Sequence, residues 1–415
     1  MAEESVEVLV IGAGPSGCVS ASYLNNNNIN VKIVEKSKFP RYVIGESLLP
    51  RCMDHFEEVG LLEALKLQNY EIKRGARFLR KDEVCNFDFS IKHTEGWDCT
   101  WQVPRSHFDN ILAEEVQKKG VTIDFENEVV DVVFEGSNSK TTVKDKEGNI
   151  KYINAKYIID ASGYGRVLPK LLDLKKPSSL PKHSSIFTIV NDINRPKGGE
   201  GTLITFDVVD LHTWLWVIPF SDGTTSIGYV GPTEFINSFK GSTTEMFAEM
   251  LKLSDYFYDR FKDVPHNFEP KVIQNFSTAV KQIYGNGYIL TGNSGEFLDP
   301  IFSSGVTFAT ETGLLASKLV TKIIKGEDVD LDKEYVEPVQ FGVDVFTSYV
   351  NEWYSGNLQK LFFHRPENPQ IKKQICSILA GYVWDKTNPF VTKHKRIVKT
   401  VAHMIDMEEE EIQKP

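Results

Sequence analysis

The sequence predicts an α/β fold in three parts: a dinucleotide-binding domain built on a parallel sheet, an antiparallel β-sheet substrate domain, and a helical C-terminal region. Three observations predict it. The first forty residues read strand, glycine-rich turn, helix, strand. The stretch from about Ser184 to Gly231 is a series of short strands with turn signals between them, and beyond about Leu331 the pattern is mostly helical.

Taken in order, VEVLVIG is a near-continuous run of apolar, largely β-branched residues, as a strand buried on both faces requires. SGCVSASYLN has helical spacing, the Asn25–Asn28 run breaks it, and INVKIVEK is the second strand; so short a crossover specifies a parallel pair. A helix is expected from about Arg51 to Lys66, then aromatic-rich strands from Arg74 to about Gln102. SHFDNILAEEVQKKG is an amphipathic helix. VTIDFENEVVDVVFE and TTVKDKEGNIKYINAKYIIDASG alternate as β-structure, with Glu147-Gly148-Asn149 as a turn. Helix returns from about Thr244 to Lys262, GYILTGNSG is another buried strand, and a long helix starts near Gly305. The terminal EEEEIQKP reads as a solvated tail. The expected division gives residues 1–80, 100–170 and 270–330 to the dinucleotide-binding domain, 81–99 and 171–269 to the antiparallel sheet, and 331–415 to the helical region.

Gly12-Ala13-Gly14-Pro15-Ser16-Gly17 matches G-x-G-x-x-G directly after a strand and directly before a helix. Gly12 permits the tight turn, Gly14 lets backbone approach a pyrophosphate, and Gly17 lets helix and sheet pack closely. The helix N-terminus offers free N–H groups and a positive dipole end to phosphates. Glu35 closes the second strand, placed to accept a hydrogen bond from a ribose hydroxyl, with Lys36 beside it.

Composition narrows the function. Of 415 residues, 47 are basic and 57 acidic, a formal net charge of −10, which argues against a nucleic-acid partner. No apolar run approaches the length of a membrane span. The N-terminus MAEESVEV has acids where a secretory signal would carry lysines. Five scattered cysteines with no C-x-x-C pair suit reduced thiols and a cytoplasmic location, and no metal-ligand cluster of cysteine or histidine is present.

Three further stretches, FPRYVIGESLLP (Phe39 to Pro50), DASGYGR (Asp160 to Arg166) and GYILTGNSGEFLDPIFSSGV (Gly287 to Val306), resemble segments of the flavoprotein monooxygenase and halogenase superfamily, which also holds the geranylgeranyl reductases. Trp214-Leu215-Trp216-Val217-Ile218-Pro219 resembles the W-x-W-x-I-P signature of flavin-dependent halogenases, and Lys73 in KRGARF resembles the context of their catalytic lysine in the phenol and pyrrole subgroup. The resemblance covers essentially the whole chain. It implies an FAD-binding Rossmann-like domain of the glutathione-reductase/hydroxybenzoate-hydroxylase type. It also implies FAD supplied as FADH2, chloride or bromide as co-substrate, and hypohalous acid that reaches an arene through Lys73. Trp214 and Trp216 would then form the partition between flavin and arene.

Other roles follow from the same resemblance. Ser303, Ser304 and Gly305 open a helix whose N–H groups suit a halide, with Ser304 also placed to cap it. Arg41, Ser47, Arg105, Val130, Gly163, Gly292, Asn293, Pro300, Gly305 and Val306 would join Gly12–Gly17, Glu35 and Lys36 around the cofactor. Asn293 departs from the family's usual aspartate; its amide oxygen still accepts a hydrogen bond, without charge assistance. Tryptophan halogenases carry a Glu-Ser pair where this chain has Phe302-Ser303, which favours a phenolic or similarly electron-rich ring, free or tethered to an acyl carrier protein. No second dinucleotide-binding unit is evident, so FADH2 is expected from a separate NAD(P)H-dependent flavin reductase. The alternatives on this scaffold are a hydroxylase, a dehydrogenase or reductase, and a catalytically quiet flavoprotein that binds a carrier protein.

Overall fold

The computed structural model describes residues 2–364 and 368–412. The first strand, Ala2–Ile11, is the spine of the larger sheet. It pairs in parallel with Ile150–Asp160 on one side and Val31–Val34 on the other, and Val31–Val34 pairs in parallel with Thr122–Asp124. Tyr288–Leu290 adds to the far side of Ile150–Asp160, also in parallel. Val8, Leu9, Val10 and Ile33 are all fully buried, because alternate residues enter two different apolar clusters above and below the sheet. The 138–145 and 150–160 strands form the expected hairpin, closed where Asp145 accepts from the Asn149 backbone N–H at 2.8 Å.

The second sheet runs in the order Lys271–Gln274, His183–Asn191, Thr224–Pro232, Trp214–Pro219, Thr205–Val208, Gly75–Arg80, Glu83–Asp88. It is antiparallel apart from one pair: Thr205–Val208 lies parallel to Gly75–Arg80. Such a pair joins segments more than a hundred residues apart, so no local turn announces it. The sheet draws Gly75–Arg80 from within residues 1–80, and Lys271–Gln274 from within 270–330. Along Trp214–Pro219 the side chains alternate. Leu215 and Val217 join Phe247 and Met250 on the helical face, while Trp214, Trp216 and Ile218 face the main core.

Two expected helices are broken. Residues 51–66 form Arg51–Glu58 and Leu62–Lys66, interrupted at Gly60 with φ +70°. Residues 244–262 form Thr243–Leu251 and Tyr258–Phe261. The long Gly305–Ile324 helix packs along Pro15–Asn26, where Ser20 Oγ donates to Gly313 O at 2.9 Å. In the C-terminal region Trp353 and Phe362 close on Phe78 of the second sheet, at ring separations of 5.5 and 4.9 Å. The expected tail is helix as far as Ile412, exposed throughout 408–412, and residues 413–415 lie outside the described residues. No helix among the described residues is long and apolar enough to cross a membrane.

Candidate active site

A cavity of about 790 Å³ lies where the two sheets meet. The glycine turn forms one end. Gly12 has φ +102°, and a Cβ there would stand 2.6 Å from the Ala161 carbonyl oxygen. A Cβ on Gly17 would lie 1.9 Å from the Gly12 carbonyl oxygen, so the turn closes only without it. Gly14 is the N-cap of the first helix and makes no side-chain cap bond, which leaves first-turn N–H groups free toward the cavity. Gly12, Gly14, Pro15 and Ser16 line the cavity; Ala13 and Gly17 do not, and serve the turn from behind.

Glu35 braces that turn: Oε2 accepts from the Ala13 N–H at 2.9 Å and Oε1 from the Ser37 N–H at 2.8 Å. Each oxygen retains a lone pair for a ribose hydroxyl. Lys36 lines the cavity from an exposed position, paired with Glu128 at 2.7 Å. The ladder between Asn127–Glu135 and Asn138–Asp145 slips between Val129 and Asp131, and Val130, left at the slip, also lines the cavity.

Arg41 and Arg105 stand on the cavity wall and share Asp109, which is fully buried. Arg41 Nη1 donates at 2.8 Å, and Arg105 grips the same carboxylate through Nε at 2.8 Å and Nη2 at 3.0 Å. Arg105 Nη1 also donates to the carbonyls of Ile44 and Gly45, at 3.1 and 3.2 Å. The pair of guanidiniums is thereby held at a cavity suited to anions with one charge to spare.

Gly163, Gly292, Asn293, Pro300, Ser303, Gly305 and Val306 also line the wall. Ser303 is left-handed at φ +54°, and the Gly305–Ile324 helix begins directly after it. Ser304 departs from expectation. It is buried, makes no side-chain cap bond and is not on the cavity wall, because its backbone is already helical rather than extended. Any anion there would be met by backbone N–H groups rather than by the Ser304 hydroxyl.

Trp214 and Trp216 form part of the same wall, with ring centroids 6.2 Å apart. Trp216 Nε1 donates to Ser226 Oγ at 3.1 Å. Trp214 Nε1 donates to Tyr354 Oη at 3.2 Å, and Tyr354 donates to Asp299 Oδ2 at 3.0 Å, whose Oδ1 accepts from the Ile301 N–H. Burial raises the Asp299 carboxyl to about 7 against the pull of those two donors.

Lys73 is 3% exposed and sits behind this wall rather than on it. It ends the Glu71–Lys73 strand, opposite Thr100. Nζ donates to Ser47 Oγ at 2.8 Å and to Leu48 O at 2.9 Å, and Ser47 itself lines the cavity. Burial lowers the amine from its ordinary 10.5 to about 7. A neutral amine has two hydrogens, and two acceptors are present, so its lone pair is left over. The amine does not line the cavity itself but touches Ser47, which does.

This burial has a consequence for stability. Between about 7 and 10.5 the unfolded chain holds a proton on Lys73 that the folded chain does not, so stability rises with pH across that window. Lys73→Met removes the effect. The melting temperature of the parent is expected to gain on that of the variant as pH is raised from about 7 to about 10. A difference independent of pH would show that the amine titrates normally.

Glycines that a Cβ would disrupt, free helix N–H groups and two fixed guanidiniums fit the pyrophosphate and ribityl chain of a flavin dinucleotide. A family model described as FAD binding domain matches residues 5–249, more than half of the chain. The chain is 27% identical to the 1H-pyrrole-2-carbonyl-[peptidyl-carrier protein] chlorinase of Pseudomonas fluorescens, over 97% of this chain and 95% of that one. The chain belongs to the FAD-binding flavoprotein family and is similar to flavin-dependent halogenases. This flavoenzyme is thus an FAD-dependent oxidoreductase. It is also 24% identical to the corresponding brominase of Pseudoalteromonas luteoviolacea, over 92% of this chain and 93% of that one. A solved flavoprotein/dehydrogenase from Cytophaga hutchinsonii superposes with a TM-score of 0.96 at 48% identity, covering 98% of this chain and all of that one.

Several residues of the cavity lie outside the motif positions that announce it in the sequence. Glu46, Tyr42, Phe206 and Ile218 line it, and Asp109, Asp299 and Tyr354 orient groups that do. Glu46 lies in the FPRYVIGESLLP stretch, a lone acid followed by an apolar run. Tyr354 carries no local signal, since its partners are 140 and 55 residues away.

Proposed function

We propose that this flavoenzyme halogenates an electron-rich aromatic ring, using FADH2, oxygen and chloride or bromide to form hypohalous acid and Lys73 to deliver the halogen. The observation that carries the reading is the buried Lys73 amine, both of whose hydrogens have acceptors, one serine away from the cavity. Reduced FAD, when bound, would supply two of the four electrons that oxygen takes up, and the halide would give the other two. The glycine turn, Glu35, Lys36, Val130, Arg41 and Arg105 would hold its nucleotide half. Gly163, Gly292, Asn293, Pro300 and the Ser303–Val306 turn would hold the ribityl and ring half, with the halide at the N–H groups after Ser303.

Lys73 has two routes. As a neutral amine it attacks the halogen of hypohalous acid: an N–X bond forms, the X–O bond breaks, and the departing hydroxide takes an N–H proton and leaves as water. As an ammonium ion it donates a hydrogen bond that polarises the same acid. Trp214 and Trp216 keep the ring away from the flavin side.

Phe302 stands where tryptophan halogenases carry a glutamate, and the similar chlorinase and brominase act on a carrier-bound pyrrole, so the favoured substrate is a phenol or pyrrole, free or carrier-bound. FADH2 would come from a separate flavin reductase, and five free cysteines suit a cytoplasmic setting. The test supplies FADH2, oxygen, bromide or chloride, and a panel of phenols and carrier-loaded pyrroles. Products heavier by one halogen are expected. Rapid oxidation of NADH or NADPH by the protein alone would end the two-component scheme.

A second reading, a hydroxylase or dehydrogenase, is favoured by the likeness to the Cytophaga flavoprotein/dehydrogenase and by the apolar wall of Ile204, Phe206 and Ile218. Products heavier by one oxygen, or lighter by two hydrogens, would replace the halogenase reading.

A further inference from the structure

Among the described residues, the tryptophans on the cavity wall are Trp214 and Trp216, and they are linked inward unequally. Trp216 Nε1 donates to the Ser226 hydroxyl at 3.1 Å, and that link ends there. Trp214 Nε1 donates to Tyr354 Oη at 3.2 Å, and Tyr354 Oη in turn donates to Asp299 Oδ2 at 3.0 Å. Both indoles, the phenol and the carboxyl are buried. The indole centroids lie 6.2 Å apart. A continuous line of aromatic rings therefore runs from the wall to a buried acid.

A phenol gives up an electron readily when its proton leaves at the same moment, because a positively charged phenol radical is a very strong acid. A hydrogen-bonded carboxylate supplies the place for that proton. Burial raises the Asp299 carboxyl to about 7, so its anion is a stronger base than an exposed carboxylate. The His183 ring stacks on Tyr354 at 4.3 Å, with the planes 16° apart. Burial lowers that imidazole to about 4, so at neutral pH it covers the phenol without adding a positive charge that would oppose oxidation. Tyr42 and Tyr164, which line the cavity, are placed differently. The Tyr42 bond to Glu46 is longer, at 3.3 Å, and Tyr164 is 41% exposed. Tyr354 is the phenol that joins an indole on the wall to a buried base.

We propose that Trp216, Trp214 and Tyr354 form a path along which one oxidising equivalent leaves a flavin in the cavity, with Asp299 as the proton acceptor at its end. The inference uses flavin binding alone and does not depend on halogenation. The oxidant is oxidised flavin excited by blue light. An indole of the pair loses one electron to it. Trp214 then takes one electron from Tyr354 while the phenolic O–H bond breaks and its proton joins Asp299 Oδ2. Tyr354 is left as a neutral radical beside a protonated carboxyl. Return of the electron from the flavin and of the proton from Asp299 restores every bond. An oxidising event at the flavin thus ends in a reversible radical rather than in a destroyed indole on the wall.

The test excites the full chain, loaded with FAD, by a blue flash. Transient absorption and electron paramagnetic resonance are the readouts, scaled to bound flavin. The parent is expected to give a neutral tyrosyl radical. In Tyr354→Phe that signal is expected to fall about tenfold or more, with the oxidising equivalent held on tryptophan. Asp299→Asn keeps the phenol but replaces the base by an amide, and the tyrosyl signal is expected to fall about tenfold there as well. This second variant carries the test if Tyr354→Phe does not fold. A tyrosyl signal equal to the parent's in both variants would overturn the proposal, as would its absence from the parent. A signal that survives in Tyr354→Phe and is lost in Tyr42→Phe or Tyr164→Phe would put the radical on the cavity wall and overturn it too.

Discussion

Lys73→Ala is expected to continue oxidising FADH2 while losing halogenated product by on the order of 10²- to 10⁴-fold, the range a positioned proton-handling group contributes. The argument is one of geometry. Nζ is held by Ser47 Oγ and Leu48 O, inaccessible to bulk water, at an ammonium pKa lowered to about 7 by burial. Among the described residues, the lysines on the cavity wall are Lys36 and Lys170, and Lys73 reaches the cavity only through Ser47. Lys73→Arg is not expected to rescue, because a guanidinium stays charged and its fork does not fit two acceptors placed for one amine. Mass spectrometry of the phenol product, alongside oxygen consumption, reads both halves of the prediction. Equal product from variant and parent would remove Lys73 from the mechanism.

The second large effect is expected from Trp216→Ala. Trp216 packs against Trp214 and Phe187, and its ring occupies the space above Gly228, where a Cβ would approach it to 2.4 Å. Deleting the indole opens the partition and leaves Ser226 Oγ without its donor. The thermodynamic loss is expected to be about 3–5 kcal/mol, as for other large buried aromatics. The chemical sign is separate: phenol that now reaches the flavin side should gain one oxygen. Hydroxylated product appearing in Trp216→Ala but not in Trp216→Phe would tie the barrier to ring bulk. A variant that loses stability without any change in product would leave Trp216 as core alone.

Much of the fold was legible because its signals are local. The Val6–Gly17 strand and turn, the alternation of Trp214 to Ile218, and the Gly305 helix start each depend on residues within a few positions of one another. What stayed hidden depends on distant pairings. The parallel contact of Thr205–Val208 with Gly75–Arg80 carries no turn signal. Gly60 ended a helix that hydrophobic spacing alone would have continued. In the site, glycines and arginines were readable as chemistry, since their types suit phosphates. Lys73 was readable only by resemblance, because nothing in the composition around it foretells an amine held behind Ser47. Glu46 and Asp299 owe their state to burial, which a sequence window does not display. Ser304 was read as a cap from residue type, but its helical backbone points the hydroxyl away from that task.

The hydrogen bonds from Trp214 to Tyr354 to Asp299 join three stretches of chain that recombination would treat as separate modules. A chimera taking its last eighty or so residues from a relative lacking the tyrosine would strand an indole N–H and a carboxylate together. Swapping of C-terminal segments to alter ring preference is therefore constrained to donors that bring a phenol to this position, or to exchanges that replace all three partners at once.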